Sequence, residues 1–119
     1  MILAPLILTS AIVLAQSKSV HWHYEIQTIG ASVSQYTSYE SPGINASGHW
    51  PSEGKSIACP RRIKLGTPVV IEGHPFVCDD RTALWVERRF GDTFDIFVGE
   101  YRSARKFGRR NLPVTIYYK

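Results

Sequence analysis

Hydrophobic and polar positions change rhythm several times along this chain. Residues 1–15 (MILAPLILTSAIVLA) form an apolar run of 12 hydrophobic residues without a charge, ended by the polar Gln16, Ser17 and Lys18. Residues 16–30 (QSKSVHWHYEIQTIG) alternate poorly and read as a flexible lead-in. Residues 31–39 (ASVSQYTSY) place Val33, Tyr36 and Tyr39 among small, β-tolerant residues. Pro42, Gly43, Gly48, Pro51 and Gly54 then punctuate residues 40–55, which marks a long loop. Segments 56–59, 68–71, 75–79 and 93–98 are enriched in Val, Ile and Phe, and turn signals such as Glu72-Gly73-His74 separate them. Only residues 100–107 read as a helix. Tyr101, Ala104 and Phe107 share a face there, and Gly108 suits the left-handed position just past the end. A last strand is expected over 111–118, with Val114 and Ile116 on one face. The pattern predicts a mainly β chain, five or six short strands and one short helix, closed as a small barrel rather than stacked as a sandwich.

Length and composition narrow this further. The 119 residues support one domain, which excludes a multi-domain enzyme and a multi-spanning membrane protein. Fourteen Phe, Trp and Tyr residues, spread from Trp22 to Tyr118, argue against intrinsic disorder. The apolar run at 1–15 has the length of a signal-peptide core and is too short to cross about 30 Å of hydrocarbon as a helix unaided. Val13-Leu14-Ala15 supplies a small final residue for cleavage, although no basic side chain precedes the run. The expected organisation is an export signal at 1–15, a lead-in at 16–30 and one barrel domain at 31–119. An uncleaved anchor or a buried strand is the alternative for the first segment. Membrane contact is expected through that segment alone, and the protein is expected outside the cytoplasm, in the envelope or secreted.

The two cysteines, Cys59 and Cys78, fit an oxidising compartment, and an even number behind a signal suggests one disulfide. Each ends a strand-like run. Two free thiols, or half of a zinc site with His74, are the alternatives, but no CxxC or HxxxH spacing supports a metal. No cofactor is implied.

Charge is biased towards the end of the chain. Arg102, Arg105, Lys106, Arg109, Arg110 and Lys119 face Glu100 alone over residues 100–119. The bias fits attraction to an anionic polymer, or simply the solvated face of one helix and its exit turn. Nucleic acid is not expected as a partner of an exported chain.

All four aspartates, Asp79, Asp80, Asp92 and Asp95, lie within seventeen residues near strand ends. A barrel can bring such ends into one groove. Glycoside cleavage needs a proton on the leaving oxygen while positive charge grows at the anomeric carbon, and carboxyl groups in a partly desolvated groove meet both needs. Clustered aspartates also serve as turn residues.

Over residues 36–117 the chain resembles the 3D (three-aspartate) domain, a double-psi β-barrel related to membrane-bound lytic transglycosylase A. Tyr36-Thr37-Ser38 resembles the opening strand of that domain, and Asn45-Ala46-Ser47-Gly48 its "TASG" loop. Ile57-Ala58-Cys59-Pro60, followed by Ile63-Lys64-Leu65-Gly66-Thr67, is similar to "AVDP…IPLGT". Val77-Cys78-Asp79-Asp80-Arg81 resembles the segment ending in the second family aspartate, which falls at Asp80, and Phe94-Asp95-Ile96-Phe97 the strand carrying the third. Ala104, Phe107-Gly108-Arg109-Arg110 and Val114-Thr115-Ile116-Tyr117 are similar to the closing motif.

The resemblance implies a six-stranded double-psi barrel acting on peptidoglycan glycan strands. It implies lytic-transglycosylase chemistry with Asp95 as general acid and base and Asp80 in support. Trp85, Asp92, Arg81 and Tyr36 are the expected substrate contacts. The chain departs from the family at Cys59, where the first aspartate belongs, and by about four extra residues around Leu84-Trp85-Val86-Glu87. Those departures keep a second reading open, a non-catalytic glycan-binding or secreted interaction barrel. In a eukaryotic host, Asn45-Ala46-Ser47 would be a glycosylation acceptor.

Overall fold

Short strands with one apolar face bury it most completely by closing on themselves, which also removes the exposed edges of a sheet. The computed structural model describes residues 24–119, and the expected export signal and residues 16–23 of the lead-in lie outside them. Six strands close a barrel: β1 (Glu25–Tyr36), β2 (Ser56–Cys59), β3 (Pro68–Ile71), β4 (His74–Arg81), β5 (Thr93–Phe97) and β6 (Arg110–Tyr118). Around the barrel they follow the order β1-β5-β2-β4-β3-β6. Two connections cross. The sequence neighbours β1 and β2 run antiparallel with β5 between them, and β4 and β5 run antiparallel with β2 between them. These interlocked crossings are the double-psi arrangement. Val33, Ile57, Ile63, Val69, Phe94, Val114 and Ile116 fill the interior with no exposed surface.

Cys59 and Cys78 are bonded across the neighbouring strands β2 and β4, with Cα atoms 5.8 Å apart and both side chains fully buried. Closing a loop of nineteen residues' separation contributes roughly 3 kcal/mol in the chain-entropy picture.

The structure departs from the sequence reading in two places. The lead-in ends early, because residues 25–30 already belong to β1. Glu25, Ile26, Gln27 and Thr28 are exposed, so no hydrophobic alternation marks them. Backbone pairing with β6, from Glu25 opposite Tyr118 to Gly30 opposite Pro113, makes them a strand.

The second departure is an additional helix. Besides the expected one, α2 (Tyr101–Phe107), there is α1 (Leu84–Phe90). It buries only Val86, so two turns carry too little periodicity to stand out. Contacts to Glu87 hold α1 in place: an ion pair from Arg61, and the Thr82 hydroxyl at 3.1 Å. Helix α2 ends as expected, with Gly108 at φ 66° donating its N–H to the Ala104 carbonyl.

Candidate functional site

One irregularity in the strand register brings the carboxylates together. Ile57 on β2 lies opposite Cys78 on β4, but Ala58 lies opposite Asp80, so Asp79 is an extra residue in the ladder. A bulge of this kind re-aims the side chains beyond it, because successive strand residues face opposite sides. On its other edge Ala58 lies opposite Asp95 of β5, and Asp95 lies beside Ser34 of β1. Ser34, Asp95, Ala58 and Asp80 therefore form one row across four adjacent strands. The small Ala58, buried against Tyr36 and Phe97, separates the two aspartates, whose backbones stand about 9–10 Å apart at normal strand spacing.

Asp95, Ala58 and Asp80 of this row line a cleft of about 320 Å³ together with Tyr36, Glu40, Ser41, Arg81 and Ala83. Asp95 is partly buried, and the Ser34 hydroxyl donates to its Oδ1. Burial raises the Asp95 carboxyl well above its ordinary value, Arg109 opposes the rise, and the charges of Asp80 and Glu40 add to it, leaving the pKa at about 6. Asp80 is held differently. Its Oδ2 accepts from the Tyr36 hydroxyl at 2.9 Å, and its Oδ1 from the N–H groups of Ala46 at 3.0 Å and Arg81 at 2.9 Å. Burial, and then the Asp80 charge, push the Tyr36 phenol far up, so it stays a donor to Asp80.

The 45–48 turn over this end of β4 is self-supporting. Asn45 is buried, and its Oδ1 accepts from the Ser47 N–H, the Ser47 hydroxyl and the His49 N–H. Its Nδ2, the atom a glycan would need, is buried with no hydrogen-bond partner among the described residues. Asn45 thus serves as a turn residue, and its buried Nδ2 has no outlet for a glycan in this fold.

The other expected contacts are dispersed. Arg81 lines the cleft, but its guanidinium is committed to the carbonyls of Pro60 (2.9 Å) and Ile63. Trp85 projects from α1 with 66% of its surface exposed, two residues beyond Ala83 at the rim. Asp92 lies outside the cleft, where both its oxygens take a fork from Arg62, Nε at 2.8 Å and Nη2 at 2.9 Å. Cys59 follows Ala58 on the strand, and its side chain lies in the core, bonded to Cys78, rather than in the cleft.

Two residues at the site escaped the sequence reading, Glu40 in the cleft and Ser34 behind Asp95. Ser34 and Glu40 carry no motif, although the spacing Thr37-x-x-Glu40 is that of a side-chain-capped turn. Much of the basic C-terminal segment is committed locally. Arg109 donates to the Ser32 and Thr93 hydroxyls, and Arg110 to the Phe107 carbonyl.

Among the described residues no group of three or more His, Cys, Asp or Glu side chains is placed to hold a metal ion, and no helix is long and apolar enough to cross a membrane. Compared with known proteins, the chain matches no protein-family model and no curated protein.

Proposed function

We propose that this is an exported, peptidoglycan-active barrel that cleaves glycan strands by lytic transglycosylation, with Asp95 as general acid and base. One observation carries the reading: a carboxyl group in an open cleft whose pKa burial and neighbouring anions raise to about 6. Such a group is protonated often enough near neutrality to donate, and is basic enough afterwards to accept. The motif resemblance supplies the substrate class. The buried disulfide suits an oxidising compartment, in line with export.

In this reading the Asp95 acid protonates the oxygen linking N-acetylmuramic acid to N-acetylglucosamine. The bond from the anomeric carbon breaks, and its electron pair leaves with that oxygen. The muramyl 6-hydroxyl then attacks the anomeric carbon, closes the 1,6-anhydro ring and returns its proton to Asp95. Asp80 acts through charge, raising the Asp95 pKa, while its own oxygens remain occupied.

The test is digestion of murein sacculi by the purified protein, with mass spectrometry for 1,6-anhydromuropeptides. Wild type releases them and Asp95→Asn does not; equal release by both, or none by wild type, sinks the reading.

A second reading is a glycan-binding barrel without catalysis, and Cys59 favours it. The position that bears an aspartate in the resembled family here forms a buried disulfide. It predicts pelleting with sacculi that survives Asp95→Asn and weakens with salt.

A further inference from the structure

We infer that Glu40 is the second working carboxylate of the cleft, a fixed anion beside the reacting sugar while Asp95 moves the proton. This rests on the glycan-cleaving reading above. It assigns to the loop after β1 a role that neither the family motifs nor the position of Cys59 supplies.

The three carboxylates of the cleft differ in which of their oxygens are occupied. Both oxygens of Asp80 accept hydrogen bonds within the protein, three in all. Asp95 uses Oδ1 for Ser34, and its Oδ2 has no hydrogen-bond partner among the described residues. Glu40 lines the same cleft, and its Oε2 accepts from the N–H of the buried Thr37 at 3.0 Å and from its hydroxyl, while its own backbone N–H also bonds the carboxylate. No other described residue donates to Glu40 Oε1. The cleft therefore offers two carboxylate oxygens to which no other described residue donates, one on Asp95 and one on Glu40.

Their environments also differ in sign. Burial alone would raise the Glu40 carboxyl, but the hydrogen bonds from Thr37 and from its own backbone N–H outweigh it and Arg105 adds to them, so the pKa falls below the ordinary value. Asp95 moves the opposite way, raised by burial and by the charges of Asp80 and Glu40 against the lowering pull of Arg109. Tyr36 and Arg81 are the remaining titratable groups lining the cleft. Near pH 5 to 6 the pair is an anion and an acid, and groups driven apart in this way divide the roles in glycoside cleavage. As Asp95 gives its proton to the leaving oxygen and the anomeric bond breaks, the Glu40 carboxylate faces the positive charge spread over the anomeric carbon and ring oxygen. Attack by the 6-hydroxyl cancels that charge, its proton returns to Asp95, and Glu40 is unchanged.

The experiment pairs a carbon-13 carboxyl titration of the full chain with murein digestion. In wild type Asp95 should titrate near 6. In Glu40→Gln the midpoint should fall by roughly 0.3–0.5 pH units, the size of an exposed charge–charge effect. Glu25→Gln, at the far end of β1, should leave it in place, and Glu40→Asp should restore most of the shift. Release of anhydromuropeptides by Glu40→Gln should fall roughly 100-fold in kcat with KM nearly unchanged. An unmoved Asp95 midpoint, or release equal to wild type, overturns the inference. Absence of product from wild type sinks the cleavage reading, while the titration still reports whether Glu40 and Asp95 are coupled.

Discussion

Asp80 and Asp95 flank the same β2 residue, Ala58, yet the protein treats them in opposite ways. At the end of β4, Asp80 is surrounded by donors: the Tyr36 hydroxyl and the N–H groups of Ala46 and Arg81. Its charge helps tie the 45–48 turn and β1 to the strand. On β5, Asp95 has one hydroxyl donor, partial burial and two acidic neighbours. A carboxylate rich in donors contributes to holding the fold, whereas one short of donors is kept near protonation at some expense to stability.

The comparison can be broken most decisively at Asp95. Asp95→Asn should abolish anhydromuropeptide release, a loss of roughly 10³-fold or more for removal of a general acid, and should also stabilise the protein above neutral pH. Because the folded pKa of about 6 lies above the ordinary 3.8, the folded state binds the proton more tightly. The resulting penalty is absent below the ordinary value, grows as pH rises from about 4 to 6, and reaches at most roughly 3 kcal/mol. Urea unfolding at pH 4 and pH 8 should show wild type losing stability across that window and Asp95→Asn largely insensitive to it.

Asp80→Asn should do the reverse. An amide cannot accept all three bonds without turning an N–H towards a donor, so a loss of roughly 1–3 kcal/mol is expected at neutral pH. Without its charge the Asp95 midpoint should also fall. If Asp80→Asn proves as stable as wild type, the two aspartates do not differ as described. The smallest change is Tyr36→Phe, which deletes one of the three donors. It should cost about 1 kcal/mol in the same unfolding assay and leave the Asp95 titration within a few tenths of a pH unit.

Much of the barrel could be read from the chain. Val69 and Ile71, Phe76 and Cys78, and Val114 and Ile116 alternate at period two, and each of these six side chains is buried. The long 40–55 loop and the helix ending at Gly108 carried their own turn and cap chemistry. Residues 25–30 did not announce a strand, because both of their faces are largely exposed and β6 supplies the pairing. Helix α1 was hidden because one buried residue, Val86, does not make a period.

The same division runs through the site. By itself the sequence determined a mainly β barrel, a pair of cysteines able to cross-link it, and aspartates near strand ends, since residue type and local alternation encode those features. Which aspartates meet was decided only by tertiary structure. Asp79 and Asp80 are chemically identical neighbours, and the bulge in the β2–β4 ladder places Asp80 in the row with Asp95. Crossed connections then put Ser34 against Asp95 and Glu40 into the cleft, each forty residues or more away in sequence from Asp80 and Asp95. Strand order and register depend on how remote segments pair, and no window of local sequence contains that information.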